Sequence, residues 1–305
     1  MQRLHKQHGF TLIELSIVLV IIGFVVGGVL VGQDLIRAGE VRATLAQVEK
    51  YNTAANTFRS KFGYLPGDIN PTSAAQFGFA ARGSVRGEGD GNGNLEGVNN
   101  SPTPAGILQG AGETIMFWVD LSSAVAGNLI EGGFNTASST PPLASADITG
   151  TNLNLYLPQA KIGRGNYFYA YGGTYTPDGN TFYGLGVNYF GLSAVSGILS
   201  SSNNGRLASA ATIPVIQAYA MDTKVDDGLP QSGNVLAWYL NVDQVWGDGT
   251  DATHTLNEPT PYTGGAYWPS STHCYDNKGA AAAAMTYSTY NNGQGANCAL
   301  SFKFQ

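Results

Sequence analysis

One stretch governs the rest of this chain. From Phe10 to Gly32, 23 residues carry a single charge, that of Glu14. As a helix rising ~1.5 Å per residue, such a run crosses the ~30 Å hydrocarbon core of a bilayer. The residues before it, Met-Gln-Arg-Leu-His-Lys-Gln-His-Gly, include Arg3 and Lys6 and no acid. The leader is therefore expected on the cytoplasmic side and everything after the span outside. No second run is long and apolar enough to span, which excludes a polytopic membrane protein.

An ordinary secretory signal closes its apolar run with a small-residue cleavage site. Here Gly32 is followed by Gln33-Asp34-Leu35-Ile36-Arg37, and the helical pattern simply continues. Leu45, Val48, Asn52, Ala55, Phe58 and Phe62 recur at intervals of three and four. The first proline is Pro66. One helix is expected over residues 10–62, roughly 75–80 Å long at ~1.5 Å per residue. Its first part, about 10–32, suits lipid; its second is amphipathic and suits packing on a globular domain.

Glu14 stands out, because a carboxylate inside an apolar segment costs on the order of 2.5–3.5 kcal/mol. Taken alone, it reads as an interfacial glutamate favoured by the positive end of the helix. Taken with its neighbours, Gly9-Phe10-Thr11-Leu12-Ile13-Glu14 followed by Leu15-Ser16-Ile17-Val18-Leu19-Val20-Ile21-Ile22-Gly23 resembles the prepilin signal of type IV pilins and type II secretion pseudopilins. The resemblance implies cleavage between Gly9 and Phe10 by a membrane peptidase and N-methylation of Phe10. It further implies assembly into a helical filament by an inner-membrane platform, with Glu14 set against the Phe10 ammonium of a neighbouring subunit. Two costly buried charges then become one compensated pair, which selects register more than it adds stability. The resemblance covers about residues 1–62. Many pilins kink the apolar segment with a proline that this chain lacks; it has Gly23, Gly27, Gly28 and Gly32 instead. These form two i,i+4 pairs, readable as ordinary membrane-helix glycines or as points of close helix approach or local melting in a filament.

Past Phe62 the character changes. Charged residues make up only 12% of the chain, with 41 glycines and 16 tyrosines, a composition that suits a strand-rich extracellular surface. Short helices are expected at Glu113–Val125, with Met116, Phe117, Leu121 and Ala124 on one side, and at Ile213–Val225, with Thr212 as cap. Tyr167–Tyr171, Thr181–Leu192, Asn234–Val242 and Ala299–Phe304 read as strands. The expected class is α+β: one long N-terminal helix on a mostly antiparallel sheet with large loops, the outer domain occupying residues 63–305 after a cleaved leader, 1–9. Tyr64-Leu65-Pro66-Gly67-Asp68, Gly89-Asp90-Gly91-Asn92-Gly93-Asn94 and Asp226-Asp227-Gly228-Leu229-Pro230 are similar to strings in some large prepilin-like proteins.

Three constellations carry chemistry. Glu88, Asp90, Asn92, Asn94 and Glu96 alternate with small residues, so their oxygens are candidates to wrap Ca2+, or form a solvated Asn-Gly turn. Leu95 and Ser101 stand where an EF-hand needs Gly and Glu. Asp248-Gly249-Thr250-Asp251 and Asp226-Asp227 are weaker cation candidates. Cys274 and Cys298 are expected to pair in an oxidising compartment, whereas a zinc site using His254, His273 and both thiols has no tight ligand spacing. Tyr167, Tyr169 and Tyr171, with Trp238, Trp246 and Trp268, read either as core or as an aromatic binding face.

No hydrolase, nucleotide or metalloprotease motif is present. The formal net charge is −6, with no basic cluster after residue 61, so nucleic acid is not an expected partner. The reading is a non-enzymatic filament subunit, held in the inner membrane and then placed in a periplasmic or surface filament. No cofactor beyond Ca2+ is expected. The rivals are a membrane-tethered adhesin, lectin or hydrolase, and a DNA-uptake pilin.

Overall fold

The structure, a computed structural model, describes residues 11–83, 88–97, 110–134, 147–172, 174–175, 182–183, 187–199, 205–241, 244–246, 268–280 and 283–304. The chain divides into two units, the first ending at Glu40 and the second starting at Val41. Helix α1 runs from Leu12 to Phe62. In the second unit its buried residues are Val41, Thr44, Tyr51, Ala54, Ala55, Phe58 and Phe62, with Val48 partly covered. The three-four rhythm expected from the sequence is present, with Leu45 packed against the core and partly covered like Val48, but the fully buried seam passes through Thr44 and Tyr51, and Asn52 is only partly covered. Tyr51 can be buried because its hydroxyl accepts a 2.7 Å bond from Gln47 Nε2 and its ring meets Trp118 and Phe168 edge-on. Asn52 has no apolar surface to offer.

Three further helices follow: α2, Pro71–Phe77; α3, Glu113–Ser122; and α4, Val215–Val225. Helix α2 falls in a stretch expected to be irregular. Its signals are local nonetheless: the Asn70 side chain accepts from Ser73 N–H, Pro71 opens the helix, and Gly78 closes it at φ 84°. Helix α3 is buried from Glu113 through Leu121, so its expected one-sided apolar face is a correction: Trp118 and Val119 are covered as fully as Met116 and Phe117. Rings from α1 (Tyr51) and from the sheet (Phe190) both meet α3, and a helix covered all round needs apolar residues all round. Helix α4 starts at Val215 after Pro214; Thr212 does not cap it, and its hydroxyl accepts from Asn166 Nδ2 instead.

The strands, in chain order, are β1 (Ile148–Thr149), β2 (Asn166–Tyr171), β3 (Thr174–Tyr175), β4 (Phe182–Tyr183), β5 (Tyr189–Leu199), β6 (Arg206–Ala210), β7 (Val235–Leu236), β8 (Tyr239–Asn241), β9 (Gln244–Trp246), β10 (Tyr275–Asp276), β11 (Thr286–Tyr287) and β12 (Leu300–Lys303). Every pairing between them is antiparallel. With one long N-terminal helix and a mostly antiparallel sheet, the architecture is α+β and pilin-like. Strand β5 is the spine. Its first half pairs with β2 and β12, its second with β1 and β6. Because Ala194 faces partners in both β2 and β6, those two strands flank β5 on opposite edges; β6 therefore follows β12 along one edge and β1 follows β2 along the other.

Alternation along these strands sorts the aromatic residues. Phe168 and Phe190 meet the rings of α1 and α3. Tyr169 and Tyr171 lie on the other face, where Tyr169 Oη accepts from Leu240 N–H and Ser193 Oγ, and Tyr171 shares a bond with Ser301. Glycine is required at Gly191, opposite Tyr169, because a Cβ there would come 2.0 Å from that ring. Both faces of β2 are covered and all six of its residues are buried, so Tyr167, Tyr169 and Tyr171 are core. The expected strand 234–242 is broken into β7 and β8, and β5 extends seven residues beyond Leu192. A disulfide joins Cys274 to Cys298, both fully buried, which leaves no thiolate for zinc.

Candidate functional site

The first unit supplies an uncovered apolar surface. Every large apolar side chain from Leu12 to Ile36 is exposed, and even the least exposed, Val18, shows 49% of its surface. The apolar character runs around the whole helix, with a mean hydropathy of 2.8 over its most apolar window. A helix apolar all round and uncovered by its own chain is built for lipid or for copies of itself.

Glu14 sits in the first turn and is held by its own chain. Its backbone N–H donates to Thr11 Oγ1 at 3.2 Å; its Oε2 accepts from Thr11 N–H and Thr11 Oγ1, both at 2.8 Å. Thr11-Leu12-Ile13-Glu14 is thus a reciprocal capping box that satisfies two of the orphan donors of the helix start. Both side-chain bonds fall on Oε2, and among the described residues Oε1 has no partner. Thr11 is a site residue that the sequence reading passed over, although the Thr-x-x-Glu spacing announces it. Gly9 and Phe10 lie outside the described residues. At Gly23, Gly27, Gly28 and Gly32 an added Cβ would meet nothing within 4 Å, so no contact inside the chain demands glycine there.

The second unit holds an acidic cage. The loop 88–96 was expected to turn its own carboxylates and amides inward. It turns its glycine amides inward instead, around carboxylates delivered from elsewhere. Gly91 and Gly93 donate to the two oxygens of Asp68 at 2.7 and 2.8 Å. Gly89 and Asp90 donate to Glu113 Oε1, and Glu96 N–H donates to Glu113 Oε2. The alternating glycines make this possible: Gly89 has a φ of 70°, and a Cβ there would meet the Ile69 carbonyl at 2.5 Å. Glu113 is also the first residue of α3, where the helix dipole favours an anion.

Of the five residues expected to bind a cation, only Asp90 joins this cage; it, Asp68 and Glu113 place carboxylate oxygens within 4.8 Å of one another. Asn92 donates twice to Asp90, Asn94 donates to Asn92 Oδ1 and Glu96 Oε1, and Glu88 accepts from Gly83 N–H. Burial lifts Asp68 to about 6 against the pull of the Gly93 and Gly91 amides. Burial, then the Asp68 charge, lifts Glu113 well above the usual carboxylate range, and burial raises Glu96 as well. Such a set either retains protons at neutral pH or holds a hard cation through its all-oxygen donors. Nothing local in the sequence links Asp68 to Glu113; the fold alone brings them together.

Close by, Arg82 forks onto both oxygens of Asp120 at 2.8 and 2.7 Å, with both side chains essentially unexposed. Gly67 N–H adds a third bond to Asp120. The Arg82 charge is thereby committed to α3. The weaker candidates Asp226 and Asp227 gather with Asp222, but these carboxylates tie down the end of α4. Asp222 accepts from Gly228 N–H and Tyr287 Oη, Asp226 from Asn234 and Val235 N–H, and Asp227 from Leu229 N–H and Ser232 Oγ. Asp248, Asp251 and His254 lie outside the described residues.

Residues 4–30 match the prokaryotic N-terminal methylation motif. The chain thus carries a prepilin signal of the type IV pilin and pseudopilin type, on a helix suited to membrane anchoring before assembly. That signal points to a structural subunit that assembles with other pilin-type subunits after a prepilin peptidase has acted. No curated protein and no solved structure gives a significant match to the chain.

Proposed function

We propose that this protein is a structural subunit of a type IV pilus-like or type II secretion pseudopilus filament. It is cut after Gly9, methylated on Phe10, and assembled from the inner membrane into a periplasmic or surface filament. The observation that carries this reading is Glu14: an acid held by Thr11 at the start of the apolar, uncovered stretch of α1, its Oε1 having no partner among the described residues. Cleavage places the new ammonium on Phe10, one residue before Thr11, so a neighbouring copy offers the matching charge where the acid lies. A tether for an enzyme or a lectin needs the apolar run but not the acid.

Mass spectrometry of the N-terminus in sheared filaments tests the reading. Methylated Phe10 is the expected result; filament material that retains Met1 refutes it. The calcium expectation moves with the geometry, from the loop carboxylates as a set to Asp68, Asp90 and Glu113, which would hold the ion through oxygens from three separate segments.

A further inference from the structure

The groove beside α4 has no part in filament assembly as argued above. Ile216 and Tyr219 on α4 and Leu229 just after it are 42%, 48% and 37% exposed. With Asp227, Lys278 and Asn292 they line an open groove of about 650 Å3, within the ~300–1,000 Å3 range of small-molecule sites. Thr289 adds a hydroxyl. Directly after Lys278, Gly279 has a φ of 76°, and a Cβ on it would lie 2.5 Å from the Trp268 ring. The indole therefore lies against bare backbone, and Trp268 remains 67% exposed. Of the aromatic residues that the sequence offered as a binding face, Tyr167, Tyr169 and Tyr171 are buried, while Trp268 is not.

The backbone around the groove is unusual too. Among the described residues five non-glycines have positive φ, and three of them, Lys278, Asn291 and Asn292, belong to this segment. Such conformations persist where surrounding structure enforces them, commonly at ligand sites. Here the Cys274–Cys298 disulfide and the bond from Ser288 N–H to the Cys274 carbonyl brace the segment.

We propose that this groove binds a neutral oligosaccharide. A pyranose ring presents an apolar C–H face and a rim of hydroxyl groups. The exposed Tyr219 ring suits the face. For the rim, Asp227 accepts, Lys278 donates, and Thr289 and Asn292 do both. Asp227 already takes bonds from Leu229 N–H and Ser232 Oγ, and each carboxylate oxygen has capacity for a second. Asp227 gathers with Asp222 and Asp226 while Lys278 is the one basic residue among the described lining residues, so the groove disfavours an acidic sugar and leaves a neutral one unopposed. An apolar segment of another protein would strip water from Asp227, Lys278 and Asn292 without replacing its hydrogen bonds.

The test uses the full chain in micelles of a detergent whose headgroup is not a sugar, titrated with maltotriose, cellotriose and chitotriose. Binding is followed by tryptophan emission and by saturation-transfer NMR. At least one trisaccharide should saturate with a Kd near or below ~1 mM. Tyr219→Ala and Lys278→Met should each weaken it by about tenfold, and Trp268→Ala and Leu155→Ala, exposed outside the groove lining, should not. Absence of saturable binding to all three up to ~10 mM, or unchanged affinity in both groove variants, overturns the proposal. So does self-association that is lost in Tyr219→Ala and insensitive to sugar, which would give the groove to a second copy of the chain.

Discussion

Residues 12–40 and 41–62 belong to one helix, yet they follow different rules. In the later segment the apolar residues form a stripe three and four apart, and that stripe is buried by the chain's own aromatic core. In the earlier segment apolar residues occupy every side and none is covered. Secondary structure is the same in both; what differs is who supplies the second surface. The lesson is that a helix can carry a folding interface and an assembly interface in series, and mutations in the two should fail different assays.

The largest expected effect lies in the uncovered segment. If Glu14 pairs across subunits as proposed, Glu14→Gln leaves the adjoining Phe10 ammonium without its counter-charge, and breaking a buried pair is worth ~3–5 kcal/mol, or more than about a hundredfold in incorporation. Immunoblots of sheared filaments should show that loss, while cleavage of the leader and the thermal midpoint of the detergent-solubilised protein stay as they were. Normal incorporation would end the distinction between the two segments.

Phe58→Ala should do the reverse. Phe58 is fully buried and packs on Phe62 and Phe79, so its loss should lower unfolding free energy by ~3–5 kcal/mol. Val25→Ala, made where nothing in the chain covers the side chain, should change it by less than ~0.5 kcal/mol. Denaturant melts of both variants in one detergent decide the matter.

A smaller effect comes from the acidic cage. Asp68 titrates at about 6 in the fold and Glu113 well above the usual carboxylate range, against ~4 for both in an unfolded chain. Between those values the folded state holds the extra protons, so stability is greatest below about pH 4 for these groups and declines as pH rises through 6 and beyond. With chelator present the melting midpoint should fall over that range, and Asp68→Asn should flatten the fall. Added Ca2+ should restore the midpoint above pH 7; no recovery would remove the cation from the cage.

The smallest effect separates two kinds of glycine. Gly27→Ala meets no neighbour in the chain and should leave unfolding unchanged or gain up to ~1 kcal/mol from helix propensity. Gly89→Ala must place a methyl on the Ile69 carbonyl at positive φ, and should destabilise by ~1–3 kcal/mol. Equal melts for the two would show that the cage does not need its glycine.

Legibility followed the range of the interactions. The long helix was legible because a 23-residue apolar run passes directly into a stripe spaced three and four apart, with no proline before Pro66. The capping box and helix α2 were equally local, but Asn70-Pro71 and Gly78 enclose only seven residues without a strong apolar stripe. The sheet was legible as short aromatic runs, whereas the reach of β5 to Leu199 depends on β1 and β6 pairing with Ser-, Ala- and Gly-rich residues that carry little signal alone. In the cage, the loop that looked like a ligand set contributes mostly amides, because Glu96 accepts from Asn94 and Glu88 from Gly83, while the loop's glycines admit Asp68 and Glu113.

What residue order determined unaided was the lipid-suited helix, the acid placed within it and the prepilin-type signal over residues 4–30, since each depends on groups close together in the chain. Only the tertiary structure decided that Tyr51 belongs in the seam, that Arg82 is spent on Asp120, and that Asp68, Asp90 and Glu113 share one small volume. Those outcomes turn on desolvation, and how dry a group becomes is set by segments far away in the chain.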